Sequence, residues 1–312
     1  MTLTQLEYVI AVDKYRHFAE AAASCFVTQP TLSMQIQKLE EELGFKIFDR
    51  SKQPVIPAEQ GVDIIEQARK IIAERDALTE IIQSKKGILK GEFKLGIIPT
   101  LAPYLLPLFI HTFTKKYPQI KLQINELTTS NLITHLKEGK IDAGILVTPL
   151  NENGIEEEPL FYEEMIAYIS KTNEIYKKQY ILPKDIDPKK LWLLEEGHCF
   201  RSQILYLCQL LEKQHQEASI DYEAGNLETL RKMVDLYGGI TVLPELATMD
   251  MLPKQIAQLR NFKHPIPVRE VSLVVHRTFV KRRLIESLKH IIVENLPEKI
   301  KKNKKAQIIP IN

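Results

Sequence analysis

Ala21-Ala22-Ala23-Ser24-Cys25-Phe26-Val27-Thr28-Gln29-Pro30-Thr31-Leu32-Ser33-Met34-Gln35-Ile36-Gln37-Lys38-Leu39 is the stretch that decides the N-terminal fold. A short alanine-rich helix ends near Cys25, and a second helix begins after Phe26-Val27-Thr28. Pro30 falls in its first turn, where a missing N–H is tolerated. Leu32, Ile36, Leu39 and Leu43 then recur at gaps of four, three and four, which makes one helical face. Upstream, Leu6, Val9 and Ile10 begin an amphipathic helix. Downstream, Phe48 to Pro57 carries Arg50, Lys52 and Pro54 and suits a short β-wing. Residues 1–58 therefore read as a winged helix-turn-helix. The second helix of such a unit enters the major groove of double-stranded DNA with its first residues. Gln29, Pro30, Thr31, Ser33 and Gln35 lie there, away from the apolar face. Gln can read adenine, and Ser or Thr can bond bases or phosphates. Gln29, Arg50 and Lys52 would hold phosphates and fix register. An ordinary three-helix packing module has the same periodicity, so the pattern alone leaves both open.

Residues 59–88 read as one long linker helix, on which Ile64, Ala68, Ile71, Leu78 and Ile82 keep a near-heptad stripe broken at Arg75. Such a stripe on a connecting helix suggests pairing with a second copy. From residue 89 to 312 the texture is α/β. Strands are expected at 93–98, 120–124 and 141–147, with helices near 104–116 and 130–138, the alternation of a parallel sheet with crossover helices. A second set has strands near 164–169, 191–194 and 240–243 and helices near 200–216 and 226–237. Val271 to Val275 resumes strand texture, and a last helix runs near 279–295. This divides the region into lobe I, about 89–161 and 266–300, and lobe II, about 162–265. A ligand would sit beyond the carboxyl ends of strands, where Thr100 lies.

The 312 residues are 44% apolar, enough for two or three domains, and the formal net charge of +2 identifies no partner. The lysines at 299, 301, 302, 304 and 305 read as a solvated tail. The charged N-terminus is unlike a signal peptide, and no apolar run approaches the ~20 residues of a membrane helix. A cytoplasmic protein is expected, in which a disulfide would be transient.

The segment Leu193-Leu194-Glu195-Glu196-Gly197-His198-Cys199-Phe200-Arg201-Ser202-Gln203 runs through a glycine turn into a helix. Cys199 at a helix N-terminus, with Arg201 and His198 nearby, should be a stabilised, partly exposed thiolate, the form that peroxide oxidises to a sulfenic acid. Cys208 is nine residues on. If one helix holds both, their Cα atoms are ~13 Å apart at the usual rise, whereas a disulfide needs about 4.4–6.8 Å. The bond would require the helix to unwind. Two cysteines at this spacing are more often small core residues. A zinc site using His198, Cys199, Cys208 and His215 lacks a familiar spacing, and no metal or cofactor is expected. Cys25 reads as a small buried residue.

The run Ala21-Ala22 … Val27-Thr28-Gln29-Pro30-Thr31-Leu32-Ser33-x-Gln35-Ile36-x-x-Leu39-Glu40-x-x-Leu43-Gly44-x-x-x-Phe48-x-Arg50 resembles the N-terminal signature of LysR-type transcriptional regulators. The resemblance extends to about Leu296. It implies a winged helix-turn-helix, a dimerising linker helix and a two-lobed α/β effector domain resembling periplasmic binding proteins. It also implies a homodimer or homotetramer on promoter operators, with RNA polymerase as a further partner, and no enzymatic activity.

Glu195-Glu196-Gly197-His198-Cys199-x-Arg201-x-Gln203 with Cys208 is similar to the redox motif of the family's peroxide-sensing members, which activate oxidative-stress defence genes. Ile98-Pro99-Thr100-x-x-Pro103-Tyr104 and Asn226-Leu227-Glu228-Thr229-Leu230-Arg231 agree. By that resemblance Cys199 is the peroxidatic and Cys208 the resolving cysteine. Thr100, Thr129 and His198 would hold hydrogen peroxide, Arg269 would stabilise the thiolate, and a cellular dithiol would reset the switch. The stretch 211–223 departs from the family pattern and should repack on oxidation. Two other readings remain: a LysR-type regulator of a small organic effector with structural cysteines, and a thiol peroxidase.

Overall fold

The recognition-helix segment folds as its pattern requires. In the computed structural model, which describes residues 1–85, 90–209, 224–277, 282–303 and 307–311, Thr28 caps the helix Gln29–Leu43 by accepting from the Thr31 N–H, and Gly44 ends it at φ +81°. Leu32, Ile36 and Leu39 are fully buried. With α1 (Leu3–Tyr15) and α2 (Phe18–Ser24) before it, this helix is α3. The wing is β1 (Phe48–Asp49) paired antiparallel with β2 (Ile56–Pro57). Buried Glu40 joins helix to wing, its Oε1 accepting from the Ile47 N–H at 2.9 Å and the Phe48 N–H at 3.3 Å.

The linker is α4 (Glu59–Lys85). Its proposed pairing stripe behaves in two ways. Ala68, with Ile64 and Ile71 beside it, packs into the core built by α1, α2 and α3, whereas Leu78 and Ile82 are exposed. Arg69 Nη2 pairs with Asp13 at 2.6 Å and Arg75 with Glu7, which fastens α4 along α1. Gly61 is required where α4 meets the wing strand: a Cβ there would lie 2.0 Å from the Ile47 carbonyl oxygen. Cys25 is half-buried at the end of α2.

Two compact units result. The first holds everything described before Lys90, and the second holds Lys90–Arg277 and the described residues from Arg283 on. The second unit follows the chain as β3 (Gly91–Ile97), α5 (Ala102–Lys116), β4 (Ile120–Glu126), α6 (Thr129–Lys137), β5 (Ala143–Thr148), β6 (Ile155–Ile169), β7 (Tyr180–Ile181) and α7 (Cys199–Leu207). After these come α8 (Leu227–Tyr237), β8 (Ile240–Pro244), α9 (Pro253–Ile256), β9 (Leu259–Phe262), β10 (Pro267–His276), α10 (Arg282–Asn295), α11 (Glu298–Lys302) and β11 (Gln307–Ile308). The hydrogen-bonded order is β4-β3-β5-β10-β6-β9-β7, with β8 on β6 and β11 on β10.

The parallel expectation holds for β4-β3-β5. It fails in the second set, where β8 and β9 both run antiparallel to β6. β6 is shared: its fifteen residues serve β10 in one half and β8 and β9 in the other, so the sheet curls around one long strand. The expected strand at 191–194 is only two isolated bridges, Leu191 to Ile240 and Leu194 to Ala224. The expected helix at 200–216 ends at Leu207, with Gln209 at φ +55°, and the rest of it, with His215 and the divergent 211–223 stretch, lies outside the described residues.

The C-terminal lysine segment is not a free tail. Ile300 is buried and Lys299 pairs at 2.5 Å with fully buried Glu245. An amphipathic helix, α11, explains this: the lysines face water while Ile300 is drawn in. Lys304 and Lys305 lie outside the described residues.

Candidate functional site

Gly197 turns the chain at φ +91°, where a glycine is needed, and delivers His198 to the N-cap of α7. Cys199 is the first helical residue and Cys208 caps the other end, its N–H bonding the Ile204 carbonyl at 3.0 Å. All three cysteines are free thiols. The helix between Cys199 and Cys208 is intact, as the spacing requires for the reduced pair. Arg201 turns back and donates from Nη1 to the Leu194 carbonyl at 2.7 Å. This bond braces the turn ahead of α7.

Cys199 is only 7% exposed. This corrects the expected partly exposed, stabilised thiolate. Burial pushes the Cys199 thiol up, against the Thr129 hydroxyl, the Arg269 charge and the helix-terminal N–H groups, which favour the thiolate. Cys208 is pushed up to about 12 by burial alone.

Thr129, His198 and Cys199 share the wall of a cleft of about 480 Å³, with Ser130, Lys137, Glu152, Gly197, Ser202 and Ile311 among its other lining residues. Thr129 opens α6, and its Oγ1 is buried without a hydrogen-bond partner in the protein. The hydroxyl acts on the sulfur but lacks the geometry of a satisfied bond, so a donor or acceptor is open to a small polar guest. His198 Nε2 lies 3.6 Å from Glu195.

Thr100 and Arg269 are not on the cleft wall. They stand behind it, buried in one network. Arg269 Nη1 donates to Thr100 Oγ1 at 3.1 Å, Nη2 to the Thr100 carbonyl at 3.3 Å, and Nε to Glu163 Oε2 at 2.6 Å. The guanidinium also lies 5.1 Å from the centre of the Phe200 ring. Glu163 Oε1 accepts from the Leu246 N–H at 2.7 Å. Burial raises the Glu163 pKa, with Arg269 opposing it. Glu163 and Phe200 were missed as site residues. The signal was present for one of them: Glu163 and Arg269 are opposite charges on strand residues directly paired across β6 and β10, in segments otherwise rich in apolar side chains. Sequence alone gives no register to pair them.

In the first unit, Gln29, Pro30, Arg50 and Lys52 are exposed, and Thr31, Ser33 and Gln35 are partly so. Arg50 is not a free phosphate hook. Its Nη1 donates to Ser33 Oγ at 3.0 Å, its Nη2 to Glu40 at 3.0 Å, and it lies over the Phe18 ring. Gln5 donates to the Gln35 carbonyl at 3.3 Å. The second turn of α3 is therefore braced by Arg50 at Ser33 and by Gln5 at Gln35.

Residues 3–62 match the bacterial regulatory helix-turn-helix protein model of the lysR family, and residues 86–297 match the LysR substrate binding domain. The DNA-binding transcriptional dual regulator OxyR of Escherichia coli K12 is 35% identical over 278 residues, 88% of this chain and 89% of that protein. The chain belongs to the OxyR group of the LysR family. The hydrogen peroxide-inducible genes activator of Dickeya chrysanthemi is also 35% identical, over 88% of this chain and 89% of its own length. Full-length OxyR of Pseudomonas aeruginosa, solved as a cysteine-to-aspartate variant, superposes with a TM-score of 0.76 at 36% identity, covering 94% of this chain and 98% of that one. A Corynebacterium glutamicum OxyR cysteine-to-serine variant with hydrogen peroxide bound gives 0.59 at 27% identity, covering 94% of each chain. These relatives are regulators rather than peroxide-consuming enzymes, which removes the thiol peroxidase alternative.

The burial of Cys208 has a measurable consequence. A thiol whose folded pKa is raised contributes stability that is fully present below the ordinary value of ~8.5 and lost as pH rises toward about 12. Urea midpoints of the reduced protein should fall less steeply from pH 8.5 to 10.5 in Cys208→Val than in the parent, and equal slopes would contradict this.

Proposed function

We propose that this chain is a cytoplasmic transcription activator that senses hydrogen peroxide through Cys199 and Cys208 and switches on peroxide-inducible genes. The observation that carries it is Cys199 at the start of α7, beside the unpartnered Thr129 hydroxyl and on the wall of a cleft. Thr129 and His198 orient peroxide, while Thr100 and Glu163 hold the Arg269 guanidinium whose charge favours the thiolate. The Cys199 thiolate attacks one peroxide oxygen, the O–O bond breaks, and hydroxide leaves. The product is a sulfenic acid at Cys199. Condensation with the Cys208 thiol forms the disulfide and releases water, and a cellular dithiol reverses it. Because the thiols are nine residues apart on α7, closure requires the helix to open, and this is the source of the conformational change.

Residues 1–58 act as the DNA-binding domain, 59–88 as the linker and 89–312 as the redox-sensing regulatory domain, with lobe I about 89–161 and 266–300 and lobe II about 162–265. Exposed Leu78 and Ile82 supply the pairing surface for a homodimer, two of which make a homotetramer on the operator, with RNA polymerase recruited there. Among the described residues no helix is long and apolar enough to cross a membrane. Gln29, Pro30, Thr31, Ser33 and Gln35 face the major groove, and Lys52 holds phosphate. Arg50 braces Ser33. Ser33→Ala and Arg50→Ala should each weaken operator binding about fivefold or more in both redox states, in line with ~1 kcal/mol or more for one positioned contact. Unchanged footprints would contradict the groove assignment.

The cleft volume also suits a small organic effector. Trapping the sulfenic acid separates the two readings. Cys208→Ser should accumulate a sulfenic acid at Cys199, seen as a dimedone adduct by mass spectrometry, and form no intramolecular disulfide. Absence of any adduct at equimolar peroxide would favour the effector.

A further inference from the structure

The C-terminal segment reaches the redox helix. β11 pairs parallel with the first residues of β10, Gln307 opposite Pro267 and Ile308 opposite Val268, next to Arg269. The Ile309 N–H continues the pairing onto the Val268 carbonyl at 2.9 Å. Ile309 is 1% exposed and shares one core with Phe200, Ile204, Leu207 and Cys208. Its carbonyl accepts a 2.7 Å hydrogen bond from Nε2 of Gln203, a fully buried residue one turn after Cys199. Ile311 then lines the Cys199 cleft. Upstream, the segment is anchored apart from α7: Lys299 and Asn303 Nδ2, the latter at 2.7 Å, both bond Glu245, and Asn303 also donates to the Tyr162 carbonyl at 3.2 Å.

We propose that residues Gln307–Ile311 latch α7 in the reduced protein, with Gln203 as the positioning residue, so that the latch sets the rate at which the Cys199–Cys208 disulfide closes. The segment is held along its backbone by β10 and at Ile309 by the core it shares with α7. The helix depends on it, through one buried hydrogen bond and the packing of Ile309. Opening α7 separates Gln203 from the Ile309 carbonyl and leaves that acceptor buried and unpaired, which opposes opening. Gln203 Oε1 has no partner in the protein, so the amide is held by its donor side alone. The latch raises the barrier to closure while leaving peroxide attack on Cys199 to the cleft residues. Its role in closure rests on the cysteine mechanism proposed above.

The test uses the full-length protein and Gln203→Met, which keeps the volume and removes the donor. In the reduced protein without peroxide, hydrogen exchange of the α7 amides should accelerate about threefold to tenfold, the effect of one net hydrogen bond. Exchange equal to the parent's overturns the latch whatever the cysteines do. With peroxide in excess, the peroxide-independent closing step should accelerate by the same factor relative to the peroxide-dependent sulfenic acid step. Equal slowing of both steps indicates a merely structural role and overturns it as well. In the parent, exchange at residues 307–311 should rise on disulfide formation, and unaltered protection contradicts release. If no disulfide closes in either protein, the cysteine mechanism fails, while α7 exchange in the reduced chain still decides the latch. Deletion of residues 307–312 should accelerate α7 exchange at least as much, and α7 exchange unchanged by the deletion overturns the latch on its own.

Discussion

Arg269→Met should destabilise the regulatory unit by about 3–5 kcal/mol, because it leaves the fully buried Glu163 carboxylate without its cation. The sign of the pH dependence follows from the same pair. Burial already raises the Glu163 pKa, and Arg269 is the largest opposing influence. Without Arg269 the pKa rises further, so stability is retained below the ordinary carboxyl value of ~4.3 and lost as pH rises above it. Urea denaturation should therefore find the variant closer to the parent at pH 5 than at pH 7.5. The double variant Arg269→Met, Glu163→Leu removes both charges and should recover much of the stability. Its Cys199 should still oxidise slowly, since the positive charge that favours the thiolate is gone. Recovery of stability without recovery of rate separates the fold-holding role of Arg269 from its electrostatic one. Recovery of both would assign Arg269 to the fold alone.

Cys199→Ser should abolish the peroxide response completely while leaving operator binding by the reduced form intact. Serine is close in size, and Cys199 is a free thiol in the reduced chain, so the helix start should persist. Gel-shift and transcription assays with and without peroxide measure this. A fully responsive Cys199→Ser protein would assign the sensing step to another group.

The parts of the molecule that repeat on a local period were legible in the sequence. The apolar face of α3 and its start after Thr28, with Pro30 in the first turn, are local events, and the structure reproduces them. The single linker helix was likewise visible, because nothing in residues 59–85 interrupts it. The partition of its stripe was not. Whether Ile71 or Leu78 meets an apolar neighbour depends on where α1 ends, which is a tertiary fact. The antiparallel second half of the sheet was missed because a fifteen-residue strand serving two sets of partners looks, residue by residue, like any strand.

The site divides in the same way. Cys199 and His198 were placed by a local turn, and Cys208 by simple counting along the helix. The burial of Cys199, the Arg269–Thr100–Glu163 network and the arrival of Ile309 on α7 join residues 100, 163, 203, 269 and 309, which only the sheet register brings together. Charge counting likewise took the lysine-rich end for a solvated tail, because a run of lysines hides the isolated Ile300 and Ile309 that dock it.

The most direct test of the central claim is peptide mapping of the full-length protein after equimolar hydrogen peroxide, with free thiols counted in parallel. Two of the three thiols should disappear, one crosslinked peptide pair should join Cys199 to Cys208, Cys25 should stay reduced, and a dithiol should restore all three. Three free thiols after peroxide, or a crosslink that uses Cys25 instead, would contradict the account.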